Sequence, residues 1–162
     1  MFVFTYAAAF LAVIYATAAL TLFFHSSPTP LSRLLACYLF SSAVWAGSNA
    51  AADVAYTVEA GQLLGGIAFV AIGLNLICFL VLIEILIKER FPSWKRLVVF
   101  SIPNIAPSLF SFSSLGIKEV IIVPGSPAQI IPGVLYYFGL FLICADLAYG
   151  LSRLIQSATE AR

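Results

Sequence analysis

Two carboxylates lie within long apolar runs of the sequence, where an ionised group is costly. Asp146 is 13 residues into the run Gly133–Leu154, about 20 Å along a helix at 1.5 Å per residue. A carboxylate in such surroundings needs a proton or a polar partner. Two roles for Asp146 therefore stay open, a structural hydrogen-bond anchor and a proton-linked or conformational switch.

Glu84 lies at a comparable depth, near the end of another apolar run, Leu63–Ile87. Lys88 follows four residues later, and residues i and i+4 of a helix lie on the same face. The long lysine side chain can reach the carboxylate while its ammonium group stays in water. We therefore interpret Glu84 as a locally paired structural residue.

A second set of polar and aromatic side chains lies inside the apolar runs or at their ends. It consists of Trp45, Asn49, Asn75, Asn104, Tyr136 and Tyr137. Pro103 and Pro107 lie beside Asn104, and prolines in a helix bend it and free backbone carbonyls. We predict that this set lines a ligand pocket open to the outside. The alternative also stays open, since Trp and Tyr are common at membrane interfaces and Asn often holds helices together.

The class of protein that holds these residues follows from composition. The chain has 162 residues, of which 62% are hydrophobic and 9% charged, and its mean hydropathy is +1.07. A soluble domain of this length cannot bury so much apolar surface and still keep a polar exterior. The sequence therefore predicts an integral membrane protein surrounded by the lipid bilayer. The net charge of +1 gives no electrostatic reason to expect nucleic acid as a partner.

Several kinds of catalytic and cofactor chemistry are excluded by motif. No lysine lies within an apolar run, which excludes a retinal Schiff base, and the only histidine, His25, lies at the edge of a loop. The chain has no HExxH, GxxxxGKS/T, paired CxxC or nucleophile-elbow motif. Cys37, Cys78 and Cys144 lie in apolar runs and are expected to be packed free thiols. We therefore expect no enzyme activity, cofactor or metal in this chain.

Five apolar runs are long enough to cross a hydrocarbon core of ~30 Å, which takes about 20 residues of helix. We predict an all-α bundle that forms a single domain over residues 1–162, with spans at about 2–24, 32–53, 62–88, 96–115 and 133–155. The first run is uncharged and too long for the core of a signal peptide, so we interpret it as a retained span. Ala16-Thr17-Ala18 does resemble a cleavage site, which leaves removal of this run as the alternative.

The basic residues predict the orientation of these spans. With the N-terminus outside, seven of the eight lie on the cytoplasmic side, and Lys118 is the exception. The seven are Arg33, Lys88, Arg90, Lys95, Arg96, Arg153 and Arg162. Because cytoplasmic loops usually carry the excess of lysine and arginine, we predict an N-out, C-in topology.

Residues 117–132 are apolar but end with three prolines in nine residues. Such a segment is a poor helix in hydrocarbon, because part of its backbone hydrogen bonding is lost. Glu119–Val123 is rich in β-branched residues, and Pro124-Gly125 suits a type II turn. We predict a short external hairpin or flap that covers the ligand pocket, with a helix starting near Gly133. An irregular interfacial loop is the alternative.

Four stretches of the sequence carry a family resemblance. They are PLSRLLACYLFSSAVWAGSNA (30–50), with Arg33 near its start and Trp45 twelve residues later, GGIAFVAIGLNLICFLVLIEIL (65–86), IPNIAP (102–107) and PGVLYYFGLFL (132–142). In pattern they resemble the N-terminal seven-transmembrane sensor region of bacterial histidine kinases. The resemblance covers nearly the whole chain, but the family's sixth and seventh spans and its catalytic domains have no counterpart in these 162 residues. The chain is therefore expected to be a truncated fragment or a reduced homologue.

This resemblance implies a signal-input module in the bacterial inner membrane, within a two-component or related signalling system. Its partners would be a small apolar or amphipathic ligand and a cytoplasmic signalling domain or protein, and a homodimer is compatible with it. In this hypothesis Arg33, Asp146 and Arg153 couple ligand binding to output. Two alternatives from other classes stay open: a small transporter subunit or ion-coupled protein that uses Asp146, and a structural membrane scaffold.

Overall fold

The chain folds into five α-helices and one two-stranded β-hairpin in the computed structural model, which describes residues 3–25, 29–123 and 126–160. The elements are α1 (Val3–His25), α2 (Pro30–Asp53), α3 (Val58–Lys88), α4 (Trp94–Leu109), β1 (Ile117–Ile121), β2 (Gln129–Pro132) and α5 (Val134–Glu160). The prediction of a helical chain is confirmed. Three of the helices, α1, α3 and α5, are long and apolar enough to cross a membrane.

Short capping motifs explain where two of the helices start. Pro30 occupies the first turn of α2, where its missing N–H costs nothing. The Thr29 hydroxyl accepts a hydrogen bond from Ser32 N at 3.1 Å, and Thr57 caps α3 in the same way by accepting from Ala60 N at 3.2 Å. A threonine cap contributes about 1 kcal/mol. Because of this cap, α3 begins four residues earlier than predicted.

The fourth helix is shorter than predicted, since it ends at Leu109 and not near residue 115. Pro103 and Pro107 lie inside it, and the residues that follow form turns. In these turns Ser111 and Ser113 donate their hydroxyls to backbone carbonyls three residues back. Serines that bond to nearby backbone compete with helical hydrogen bonding, which explains the early end. With 16 residues, α4 is about 24 Å long, less than a hydrocarbon core of about 30 Å.

The central helix of the bundle is α3. It packs against α2, α4, α5 and both strands, whereas α1 packs mainly on α2. A methyl group on Gly73 would lie 2.7 Å from the carbonyl oxygen of Asn104 in α4, and one on Gly139 of α5 would lie 2.6 Å from the ring of Phe69. Small residues let membrane helices approach closely. These two positions therefore fix how α4 and α5 lie against α3.

The segment between α4 and α5 is a packed hairpin. β1 and β2 pair antiparallel with Val120 opposite Ile130, and the register shifts between Ile117 and Glu119, as in a β-bulge. Ile117 and Val120 are buried in a small apolar cluster of their own. The strand pairing of the predicted hairpin is therefore confirmed, and the alternative of an irregular loop is wrong. Its external position and its role as a cover over a ligand pocket stay predictions. The predicted turn at Pro124-Gly125 lies outside the described residues.

Candidate functional site

The hairpin is attached to the ends of α2 and α3, and through α2 to α1. Val120 of β1 lies over Gly61 near the start of α3, where an added Cβ would be 2.7 Å from a Val120 methyl group. Ala128 N donates to the Asp53 carbonyl oxygen at the end of α2, at 2.8 Å. The Asp53 carboxylate in turn accepts a hydrogen bond from the buried Thr5 hydroxyl of α1, also at 2.8 Å. These five residues are termed the hairpin junction.

The hairpin is also continuous with α5. A single residue, Gly133, separates β2 from the helix. Gly133 N donates to the Gly116 carbonyl and Leu135 N to the Leu115 carbonyl, both at 2.9 Å. These bonds tie the first turn of α5 to the chain just before β1. A displacement of the hairpin must therefore carry the start of α5 with it.

Aromatic contacts hold the first turns of α5 against α3. The ring centroid of Tyr136 lies 6.1 Å from that of Phe69 and 5.9 Å from that of Tyr137, which meets it edge-on. The Phe69 ring also covers Gly139. Both tyrosines are exposed. The predicted tyrosine pair therefore forms an open aromatic surface within five residues of β2.

Asp146 is bonded to α4. Its Oδ2 accepts a hydrogen bond from Nδ2 of Asn104 at 2.9 Å, and the same nitrogen donates to the Phe100 carbonyl at 2.9 Å. Asn104 is buried and Asp146 half-buried. The pair bridges α4 and α5 near the middle of α5. Of the two roles left open for Asp146, this contact favours the hydrogen-bond anchor.

A buried amide network joins α3 to α2. Nδ2 of Asn75 donates to the Ser42 hydroxyl at 2.6 Å and to the Tyr38 carbonyl at 3.1 Å, and the Ser41 hydroxyl lies 3.3 Å away. Both serines also donate to the Tyr38 carbonyl, at 2.9 Å. Because its members satisfy one another, the network contributes to helix packing.

An ion triad centred on the buried Glu84 joins α3 to α4. Oε2 of Glu84 accepts hydrogen bonds from Lys88 Nζ and from a guanidinium nitrogen of Arg96, both at 2.6 Å. Glu84 is 1% exposed, whereas the Lys88 and Arg96 side chains are 25% and 49% exposed. The predicted Lys88 pairing is confirmed. Arg96 is a further partner that helical spacing cannot reveal, because it belongs to the next helix.

None of the six predicted ligand-binding residues lines the open apolar groove that lies between α1, α2 and α3. Asn49 donates to the Trp45 carbonyl within α2, at 2.8 Å, and Trp45 is 43% exposed. Asn75 and Asn104 take part in the two separate helix contacts described above, and the tyrosines lie on α5. Depth along a span can be read from the sequence, but the neighbouring helix that each residue meets cannot. The ligand-binding role of these residues stays a prediction.

Neither of the predicted coupling arginines bonds to Asp146. Arg153 donates to the side-chain oxygen of Gln156, one turn further along α5, at 3.1 Å. Arg33 is exposed in the first turn of α2, and within the described part of the chain its side chain has no hydrogen-bond or ion-pair partner. Their coupling role also stays a prediction.

An open groove lies between α1, α2 and α3, with a volume of 870 Å³. Its wall is almost entirely apolar and includes Phe23 of α1, Cys37, Phe40 and Val44 of α2, and Leu74 and Cys78 of α3. It is termed the α1–α3 groove. Lipid contact also produces apolar residues at every third or fourth position, so the sequence does not distinguish this groove from an ordinary lipid-facing side.

Neither a metal-ligand cluster among the described residues nor a match to a known protein points to a further site. Within residues 3–25, 29–123 and 126–160, no group of three or more His, Cys, Asp and Glu residues could hold a metal ion. Comparisons with protein-family models, with curated proteins and with solved structures find no match to this chain. The hairpin junction and the α1–α3 groove are therefore the two features from which function is inferred.

Proposed function

We propose that this chain is the signal-input module of a membrane-bound signalling protein, in which the hairpin senses and α5 transmits. In this proposal the protein is a multi-pass protein of the bacterial inner membrane. All five helices cross the bilayer, with the N-terminus and the hairpin outside and the C-terminus in the cytoplasm. The observation that carries the proposal is that one small element bonds to the end of α2, packs on the start of α3 and is continuous with α5.

The distribution of charge supports this orientation. The segment from Lys88 to Arg96 contains four basic residues, and the hairpin contains only Lys118. An excess of basic residues marks the cytoplasmic side of a membrane protein. The short α4 is compatible with a span, because local thinning of the bilayer accommodates a helix shorter than the hydrocarbon core.

Transmission requires a ligand that binds better to one position of the hairpin than to another. The exposed Tyr136–Tyr137 surface beside β2 suits a small apolar or amphipathic ligand, since tyrosine offers both a ring and a hydroxyl. Because the hairpin is continuous with α5, its movement displaces the first turn of that helix. α5 then tilts about the Asn104–Asp146 hydrogen bond, which joins it to α4. Arg153, in the C-terminal part of α5, contacts a cytoplasmic output domain in this proposal.

The membrane topology is tested with single cysteines and a membrane-impermeant thiol reagent. Lys118 on the hairpin and Lys95 at the start of α4 are both exposed, whereas Val120 is buried and unsuitable as a probe. In intact cells that lack the native cysteines, Lys118→Cys is expected to react and Lys95→Cys to react only after permeabilisation. The reverse pattern contradicts the proposed orientation.

The sensing role is tested by locking the hairpin with a disulfide. A Cβ on Gly61 would lie 3.7 Å from Cβ of Val120, within the range of about 3.5–4.5 Å that disulfides require. In the double variant Gly61→Cys/Val120→Cys, the valine methyl groups that crowd residue 61 are also gone. The native cysteines are replaced by alanine, and Val120→Cys alone is the control.

The measured quantity is the activity of the kinase or cyclase domain encoded in frame after residue 162 or by a neighbouring gene. Oxidation of the double variant is expected to hold that activity at one constant level. Addition of a reductant is expected to let the activity vary again as in the unmodified protein. The control variant is expected to be insensitive to oxidation. If the native locus encodes no such output, or if the locked hairpin leaves the output unchanged, the sensing proposal is wrong.

A second candidate, an ion-coupled membrane protein, is favoured by one observation. Asp146 places a carboxylate in the middle of the apolar α5, and among the described residues its hydrogen-bond partner is the neutral Asn104. Asp146→Asn should then abolish a proton or cation flux measured in liposomes. The absence of flux in the unmodified protein eliminates this candidate. If the substitution lowers only the stability, Asp146 serves a structural scaffold.

A further inference from the structure

The α1–α3 groove has the size and shape of a site for a hydrocarbon chain. Its volume of 870 Å³ falls in the range of about 300–1,000 Å³ that ligand pockets have. On α3 its wall extends from Ile67 to Cys78, about 16 Å at 1.5 Å per residue. That length matches one leaflet, which is half of a hydrocarbon core of about 30 Å. One extended acyl chain therefore fits the groove from the headgroup side inwards.

Arg33 lies at the headgroup end of this groove. Cys37, Phe40 and Val44 of its α2 wall follow Arg33 at spacings of four, seven and eleven residues. Residues with these spacings share one face of a helix. The guanidinium group is therefore placed about one helical turn beyond the apolar wall, at the level where lipid phosphates lie.

The charge around Arg33 favours an anion. Its side chain is exposed and has no partner in the described part of the chain, unlike the two bases of the ion triad. No acidic residue occurs between His25 and Cys37. The N-terminal end of α2 adds its own partial positive charge, and no acid in the first turn offsets it.

We propose that the α1–α3 groove binds one acyl chain of an anionic phospholipid whose phosphate is held by Arg33. Arginine suits this role because its planar fork of N–H donors matches phosphate geometry. A zwitterionic phospholipid carries its own cation beside the phosphate, and free phosphate has no chain to fill the groove. The inference is independent of the sensing proposal and requires only that α2 and α3 lie in the bilayer. In the proposed N-out, C-in topology the first turn of α2 lies on the cytoplasmic side, so the site faces the cytoplasmic leaflet.

The headgroup part is tested by native mass spectrometry of the full chain in mild detergent. Phosphatidylglycerol and phosphatidylcholine with the same acyl chains are added separately, and glycerol phosphate serves as the headgroup alone. We expect one bound phosphatidylglycerol, with binding of phosphatidylcholine about fivefold weaker, the contribution of one basic side chain near a membrane surface. Arg33→Gln should remove that difference, whereas Arg90→Gln, a loss of charge at an exposed loop position, should leave it unchanged.

The acyl-chain part is tested by filling the groove. Leu74 lines the wall and is 49% exposed, so tryptophan there occupies the groove without entering the packed helix contacts. Leu74→Trp should abolish binding of both lipids. Leu86→Trp is the matched control, since Leu86 is 65% exposed on the same helix and lies outside the groove.

A measurement on the unmodified protein decides the question even if a variant fails to fold. Cys37 lies in the groove and Cys144 on α5, and both are exposed free thiols, although the sequence predicted packed ones. Phosphatidylglycerol should slow the reaction of N-ethylmaleimide with Cys37 and not with Cys144. Equal binding of the two lipids, unchanged lipid binding by Arg33→Gln, or an unprotected Cys37 would each overturn the proposal.

Discussion

The ion triad of Glu84, Lys88 and Arg96 predicts that removing the acid costs less stability than removing both bases. In Glu84→Gln two charge-assisted hydrogen bonds are lost, each contributing about 1.5–3 kcal/mol. The bases are, however, 25% and 49% exposed, so they regain water when the carboxylate is gone, and solvent already screens their share of the interaction. We expect the free energy of unfolding to fall by about 1–3 kcal/mol.

The double variant Lys88→Ala/Arg96→Ala is expected to behave differently. It leaves the Glu84 carboxylate, which is 1% exposed, buried and without a cationic partner. Leaving one member of a buried pair uncompensated costs about 3–5 kcal/mol. Arg96→Ala alone should cost less, because Lys88 still donates to the carboxylate at 2.6 Å.

The assay is unfolding in mild detergent by titration with sodium dodecyl sulfate, followed by circular dichroism. Arg90→Ala/Lys95→Ala is the matched control, since it removes two exposed basic residues from the same part of the chain. It should change the free energy of unfolding by less than about 0.5 kcal/mol. The reasoning is refuted if Glu84→Gln is as destabilising as the double-base variant, or if the control is as destabilising as the loss of Lys88 and Arg96.

Two further predictions concern helix contacts and use the same titration. Asn75→Ala should lower the free energy of unfolding by about 0.6 kcal/mol and by no more than about 1.7 kcal/mol, the mean and the maximum for interhelical hydrogen bonds in a membrane protein. An unchanged midpoint contradicts a stabilising role of the network. Gly139→Ala should cost about 1–3 kcal/mol through overpacking, because its methyl group would lie 2.6 Å from the Phe69 ring, and Phe69→Leu should recover part of the loss. Gly47→Ala is the control, since its methyl group would meet its nearest neighbour at 3.6 Å, and equal losses at both glycines contradict the steric explanation.

The hairpin could be predicted because its signals are local. Prolines exclude a helix, and β-branched residues favour strands. The end of α4 could not be predicted from hydropathy, since the apolar pattern continues to Leu115. There the serine hydroxyls bond to the backbone and end the helix at Leu109.

The same distinction holds for the candidate sites: contacts within one helix could be predicted from the sequence, whereas contacts between helices could not. The Glu84–Lys88 pair follows from helical spacing, whereas Arg96 reaches Glu84 from another helix. The polarity of Asp146 marks it in the sequence, but its partner Asn104 is set by how α5 crosses α4. The α1–α3 groove is a gap between three helices, so no residue type marks it.

Coupling between the hairpin and the C-terminal end of α5 is tested by electron–electron distance measurement. The background is the Gly61→Cys/Val120→Cys variant without native cysteines. Lys95 and Ser152, which are both exposed, are each replaced by a keto amino acid that carries a nitroxide. The distance between the two nitroxides reports the separation of α4 and α5. We predict two populations in the reduced protein and one in the oxidised protein, because a locked hairpin selects one position of α5. Identical distance distributions in the two redox states would contradict transmission through α5.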